Sequence, residues 1–174
     1  MNKLIKDMCL YKELNTAYQL IVTGLGELQE IDMGNDFYHL PHLLLANGLE
    51  RFMKCYICLV YEAREGKYPD FDMLKNLGHD LSRLNKVIIT NYFADNSRPA
   101  LKDDIVFLKD DEKLKIILKI LSEFGKYARY YNLDVVTGKS VQSSFDSKDE
   151  WKRLERSIED PTPCLTSNNQ EGLY

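Results

Sequence analysis

The sequence has few of the residues that interrupt helices or cross-link small folds. Only 5 prolines and 9 glycines occur among 174 residues, so long stretches can run without a helix breaker. The 4 cysteines suggest no disulfide framework, and the first residues lack the apolar segment of a secretory signal peptide. We therefore expect a cytoplasmic protein whose thiols stay reduced.

The sequence also lacks long apolar runs and an excess of positive charge. No apolar run approaches the roughly 18 residues of a membrane span, so we expect no membrane association. The formal net charge of −4 argues against a protein that coats DNA, although it leaves room for a local basic patch. A hydrophobic content of 44% and a charged content of 29% are typical of globular domains.

Apolar residues recur at helical spacing of three and four along most of the chain. The pattern predicts an all-α fold, an antiparallel helical bundle of four to five helices over residues 1–158. Residues 159–174 are polar and are predicted to form a disordered C-terminal tail. The predicted helices cover residues 3–31, 41–65, 80–93, 110–132 and 147–158. The predicted core contains Leu45, Leu49, Phe52, Leu84, Ile117, Leu121 and Phe124.

Two of the predicted helices carry further detail. In the first, Leu14, Tyr18, Ile21, Leu25 and Leu28 recur at three- and four-residue spacing and are predicted to share one face of the helix. On the more polar face of the second predicted helix, Glu50 and Lys54 are four residues apart and are predicted to form an ion pair.

The sequence offers two weak metal-binding patterns. Cys55 and Cys58 form a C-x2-C pair, but a structural zinc site needs a second pair of ligands and the pair lies in an apolar run. We interpret both as core cysteines. His39 and His42 stand three apart at the start of a helix, and we interpret them as a polar helix entry. No metal or other cofactor is predicted.

His79 and Asp80 stand together just before the third predicted helix. Asp80 is predicted to be its N-cap, because an aspartate side chain there can accept backbone N–H bonds from the first turn. His79 is a candidate catalytic or ligand-binding residue, since histidine titrates between pH 5 and 8. Arg83, one turn further on, is a candidate ligand-binding residue.

Residues 124–134 combine several aromatic side chains with two cations. Aromatic rings and arginine can stack on and clamp a nucleobase, which makes Arg129 and Tyr130 candidate ligand-binding residues. The alternative is that the tyrosines of this segment are half-buried residues of the bundle.

Two segments carry a family resemblance. Residues 43–55, LLLANGLERFMKC, and residues 78–84, GHDLSRL, resemble two consecutive helices of the HEPN-like superfamily of nucleotide-binding helical bundles. The resemblance covers roughly residues 40–135. It implies a bundle of four to five helices that often forms homodimers. It also implies one of three roles, which are a ribonuclease of a toxin–antitoxin or defence system, a partner of a small nucleotidyltransferase, or a nucleotide binder.

The sequence departs from the catalytic motif of that superfamily. Active members carry Arg-x4–6-His, whereas no arginine precedes a histidine at that spacing here and Arg129 is followed by Asp134. An ordinary aspartate, with a pKa near ~3.9, cannot shuttle protons near neutral pH as an imidazole does. We therefore expect a non-catalytic module that binds a nucleotide, RNA or protein. The alternatives are a divergent ribonuclease using Arg129 with His79 or Asp134, and a purely structural dimeric partner protein.

Overall fold

The computed structural model describes residues 2–93, 99–126, 131–138 and 145–159, with only the backbone at 99, 100, 131, 132 and 134. The regular secondary structure of these residues is entirely helical, which confirms the all-α prediction. The helices are α1 Lys3–Gln29, α2 His39–Glu65, α3 Phe71–Asn76, α4 Leu81–Val87, α5 Pro99–Asp110, α6 Glu112–Lys126, α7 Tyr131–Val136 and α8 Ser147–Glu159. A π-helical turn, Ile88–Tyr92, continues α4. The predicted number of four to five helices is not confirmed.

Helices α1 and α2 form an antiparallel pair that is held close by two glycines. A Cβ atom at Gly24 would lie 2.8 Å from Cγ of Leu45, and one at Gly48 would lie 2.8 Å from Cγ1 of Ile21. An ion pair between Lys3 and Glu62 joins the start of α1 to the end of α2. Small residues at the crossing therefore set how closely the two backbones approach.

The rest of the protein packs on the other side of α2. Helices α4 and α6 contact α2 and each other, and α8 packs on α6. Four residues of the predicted core, Leu45, Leu84, Leu121 and Phe124, are buried as expected. Two more, Leu49 and Ile117, are partly buried against that core.

The prediction was wrong for Phe52, which is 46% exposed. Tyr18 and Leu25, two members of the apolar face predicted for α1, are 58% and 49% exposed. The buried residues of α1 are Ala17 and Gly24 instead. Because the α1–α2 contact is centred on small residues, the large apolar side chains beside them are displaced towards solvent.

The predicted helix over residues 110–132 was also wrong in its bounds. Helix α5 ends at Asp110, and Asp111 starts a new helix because its carboxylate accepts the N–H of Leu114 at 2.7 Å. Helix α6 ends at Lys126, residues 127–130 lie outside the described part, and α7 is a separate short helix. Of the predicted tail, residues 160–174 lie outside the described residues. Among the described helices, none is both long and apolar enough to cross a membrane.

Candidate functional site

A cleft of about 700 Å³ opens beside α2, with walls from α1, α4 and α6. This volume falls within the range of small-molecule sites in proteins. Apolar side chains cover part of its surface, namely Leu10, Leu43, Leu74, Leu81, Leu121 and Phe124. The polar side chains of the lining are Glu13, Asn47, Glu50, Arg51, Lys54, His79 and Lys126. The cleft therefore combines an apolar surface with a set of charged groups.

Helix α2 supplies most of the polar wall. Positions 47, 50, 51 and 54 recur at spacing of three and four, so helical geometry brings them to one face. Nζ of Lys54 lies 2.8 Å from Oε1 of Glu50, which confirms the predicted ion pair. Asn47 donates to the carbonyl of Leu43 at 2.9 Å, which leaves its side-chain oxygen as an acceptor.

His79 reaches the same carboxylate from the loop before α4. Gly78, with φ of 72°, lets the chain turn there at low conformational cost. Nδ1 of His79 lies 2.8 Å from Oε1 of Glu50. Because an ionised carboxylate only accepts hydrogen bonds, this contact favours the tautomer with its proton on Nδ1. Nε2 of that tautomer is an acceptor on an exposed ring.

The next residue, Asp80, links α4 to α6. Its Oδ1 accepts the N–H of Arg83 at 2.9 Å, which confirms the predicted N-cap, and its Oδ2 lies 2.5 Å from Nζ of Lys126. Burial raises the pKa of Asp80, but the hydrogen bonds from Lys126 and from the backbone outweigh it and hold that pKa below its usual value. The hydrogen bond to Asp80 raises the pKa of Lys126, so both groups are charged at neutral pH.

Arg51 completes the polar lining by pairing with Glu13 across the α1–α2 interface. Each cation of the cleft therefore has a carboxylate partner: Glu13 for Arg51, Glu50 for Lys54 and Asp80 for Lys126. A guanidinium has five N–H donors and an ammonium has three, so one carboxylate does not use all of them.

Of the predicted site residues whose side chains the structure describes, His79 lines this cleft. Arg83 lies on the exposed face of α4, outside the cleft lining. Arg129 and Tyr130 lie outside the described residues, and Asp134 is described only as part of the α7 backbone. The pairing of His79 with Arg129 or Asp134 therefore stays a prediction.

Of the candidate metal ligands, Cys55 and Cys58 are buried. The two histidines differ, because His39 is exposed whereas His42 is buried and does not belong to a polar helix entry. Burial raises the pKa of Cys55 to about 11 and also raises that of Cys58, so both thiols stay protonated at neutral pH. The ring of His42 is buried, with the rings of Phe124 and Trp151 at centroid distances of 5.5 and 5.1 Å. Within the described ranges, no three or more His, Cys, Asp or Glu side chains are grouped to hold a metal ion.

Sequence reasoning did not single out Asn47, Arg51 and Lys126 as site residues. For α2 a signal was available, because Asn47, Glu50, Arg51 and Lys54 form a polar stripe on a helix that is otherwise largely apolar. For Lys126 the signal was its place in the aromatic and cationic segment 124–134, but its pairing with Asp80, 46 residues away, depends on the packing of α4 on α6.

Comparisons with protein-family models, with curated proteins and with solved structures found no significant match to this chain.

Proposed function

We propose that the protein is a helical-bundle binding module that takes a nucleotide, free or within RNA, in the cleft beside α2. The observation that carries the proposal is the composition of this one cleft, in which three cations and an imidazole surround an apolar surface. A nucleotide matches this composition, because its flat base can pack on the apolar surface and its anionic phosphate can pair with the cations. Charge-assisted hydrogen bonds from arginine and lysine to phosphate oxygens are among the strong polar contacts that proteins make.

The ion pairs of the free cleft are compatible with this role. Arg51, Lys54 and Lys126 are held in place by carboxylates, so the cations are positioned before a ligand arrives. Positioning of this kind lowers the conformational entropy lost on binding. The carboxylates also compete with the phosphate, which favours modest and reversible affinity.

The contact between His79 and Glu50 favours a second candidate function, the divergent ribonuclease. A carboxylate that fixes the tautomer of a histidine is a common arrangement in general acid–base catalysis. In this alternative, Nε2 of His79 takes the proton from a ribose 2′-hydroxyl while a neighbouring cation stabilises charge on the phosphate. The absence of Arg-x4–6-His makes binding without cleavage our leading proposal.

The experiment is a titration of the purified protein with nucleoside monophosphates and with a short fluorescent single-stranded RNA. We expect Lys126→Ala to weaken binding by about tenfold or more, because a hydrogen bond to a charged group contributes about 1.5–3 kcal/mol. Lys115→Ala is the matched control, since Lys115 is also on α6 and also paired with a carboxylate, that of Glu112, but lies outside the cleft.

The same samples distinguish binding from cleavage. Intact RNA after prolonged incubation supports the binding module, whereas cleavage that is lost in His79→Ala supports the ribonuclease. Absence of binding to every nucleotide and to the RNA, or equal weakening by Lys126→Ala and Lys115→Ala, would contradict the proposal.

A further inference from the structure

Helix α1 exposes a continuous apolar stripe along its length. Its members are Leu4, Met8, Tyr11, Tyr18, Val22 and Leu25, each at least 47% exposed. They follow the alternating spacing of four and three that typifies a coiled-coil seam, with Asn15 as the one polar residue at a seam position. The stripe from Leu4 to Leu25 is about 32 Å long at 1.5 Å per residue. α2 covers a different face of α1, so the helix carries two apolar faces.

Helix α2 extends this apolar surface. Phe52 and Leu59 lie seven residues apart, hence on one face of α2, and both are more than 40% exposed. Because Gly48 packs on Ile21 and the helices run antiparallel, Phe52 is level with Tyr18 and Leu59 with Tyr11. Apolar surface of this extent on a soluble protein marks an interaction site.

The charges of the α1–α2 hairpin are complementary to those of a second copy of the chain in the opposite direction. Residues 13–50 contain six acidic residues and no lysine or arginine, whereas residues 2–12 and 51–67 contain seven lysines and arginines and three acidic residues. The hairpin thus has a basic end, at the start of α1, and an acidic end, at the start of α2. A second copy in the opposite direction places each basic end beside an acidic end.

The charges along α1 run in the order that is unfavourable for an isolated helix. Its first turn has no acidic residue and its last turn no basic one, and the actual order, lysines first and glutamates last, opposes the helix dipole. Favourable interactions with the helix dipole therefore do not explain this order of charges along α1. Moreover, no ion pair within the described part of the chain engages Glu27 or Glu30.

We propose that α1 is a homodimer interface at which two copies pair antiparallel through the Leu4–Leu25 stripe. The antiparallel register that places Met8 opposite Leu25 of the second copy also places Tyr11 opposite Val22 and leaves Leu4 beside Gln29. Asn15 then faces Tyr18, and a polar residue at such a position favours one register. Two-fold symmetry repeats every contact, as in most homodimers. The proposal is independent of the ligand in the cleft, because no residue of the stripe lines the cleft.

The first test is the mass of the full chain in solution. We expect twice the chain mass of 20.3 kDa for the wild type and a single chain mass for Val22→Lys. Because Val22 is exposed, the variant should keep the helical circular dichroism of the wild type. Thr16→Lys, on the exposed face of α1 away from the seam, is the control and should remain dimeric. A monomeric wild type, or an unaffected dimer in Val22→Lys, would overturn the proposal.

The second test fixes the direction of pairing by disulfide formation in a Cys9→Ser, Cys164→Ser background. Met8→Cys with Leu25→Cys should give a covalent dimer on oxidation. The two positions are about 25 Å apart within one helix, too far for an internal disulfide. Met8→Cys alone should stay uncrosslinked, because antiparallel copies separate the two cysteines by a similar distance. Efficient crosslinking of Met8→Cys alone would indicate parallel pairing and contradict the proposal.

Discussion

The side chain of His42 is 1% exposed, and neither ring nitrogen has a hydrogen-bond partner among the described residues. Tyr38, Phe124 and Trp151 surround the ring. Because the buried ring has lost its contact with water, the charged form of His42 is disfavoured. Its pKa is therefore lowered to about 4. His42 therefore behaves as an aromatic core residue at neutral pH.

This burial predicts a loss of stability in mild acid. The pKa is lower in the folded protein than the unfolded value near 6.5, so the unfolded chain binds the extra proton as the pH falls from about 6.5 to 4. Between pH 7 and pH 5 this one group should remove on the order of 2 kcal/mol from the free energy of unfolding.

Urea denaturation at the two pH values measures the effect. The drop between pH 7 and pH 5 should be smaller in His42→Phe than in the wild type by about 2 kcal/mol, the contribution of this histidine. An equal drop in His42→Phe and the wild type would show that His42 does not control this acid sensitivity.

Glu50 holds Lys54 and His79 in the cleft and carries the charge that competes with an anionic ligand. If the cleft binds phosphate, Glu50→Gln should tighten nucleotide binding by a factor of about two to five, because removing one partly exposed ion pair changes the free energy by about 1 kcal/mol or less. Calorimetric titration measures the change. Glu112→Gln, which removes a carboxylate outside the cleft, should leave the affinity unchanged. Weaker binding by Glu50→Gln would indicate that the carboxylate itself contacts the ligand.

At the scale of elements, the α1–α2 pair depends on close contact at Gly48. A Cβ there would meet Cγ1 of Ile21 at 2.8 Å and its backbone nitrogen at 3.0 Å, so a helix would have to shift. We expect Gly48→Ala to lower the free energy of unfolding by about 1 kcal/mol, as the overpacking cost of about 1–3 kcal/mol exceeds the gain in helix propensity.

Gly26 is the matched control in α1. A Cβ at this position meets nothing within 4 Å, so Gly26→Ala should raise the free energy of unfolding by about 0.5–1 kcal/mol through helix propensity alone. Chemical denaturation of both variants gives the comparison. Equal stabilisation by the two substitutions would contradict the close approach of α1 to α2.

The long helices could be predicted from the sequence because each repeats its apolar pattern over many turns. Helix α3 was not predicted, since six residues are too few to show a period. The exposure of Tyr18 and Phe52 could not be predicted either, because periodicity identifies an apolar face but not how much of it a neighbouring helix covers. That coverage depends on Gly24 and Gly48, whose role appears only when α1 meets α2.

At the scale of the whole molecule, the cleft exists only after folding. His79 and Glu50 are 29 residues apart in the chain, and Asp80 and Lys126 are 46 apart. Sequence reasoning identified His79 from its chemistry and Asp80 from its position before a helix. It could not identify Glu50 as the partner of His79, because that contact depends on α4 packing against α2. Pairs of residues on different helices depend on how the helices pack, and no local sequence pattern predicts that packing.

The cleft and the Leu4–Leu25 stripe are two distinct surfaces that share no residue. The cleft combines charges with apolar surface, whereas the Leu4–Leu25 stripe is apolar along its length. We expect ligand binding and dimerisation to be separable, so that Val22→Lys gives a monomer with near wild-type nucleotide affinity. Loss of binding in a folded monomer would indicate instead that the second copy completes the site.

The most direct test of the proposed binding function is to map where a ligand contacts the protein. We suggest following the backbone amide resonances of ¹⁵N-labelled protein by NMR during titration with nucleoside monophosphates and a short single-stranded RNA. We expect shifts concentrated at residues 47–54, 79–81 and 124–126, with little change along the outer stripe of α1. An absence of shifts at saturating ligand, or shifts concentrated outside these three segments, would contradict the proposed binding function.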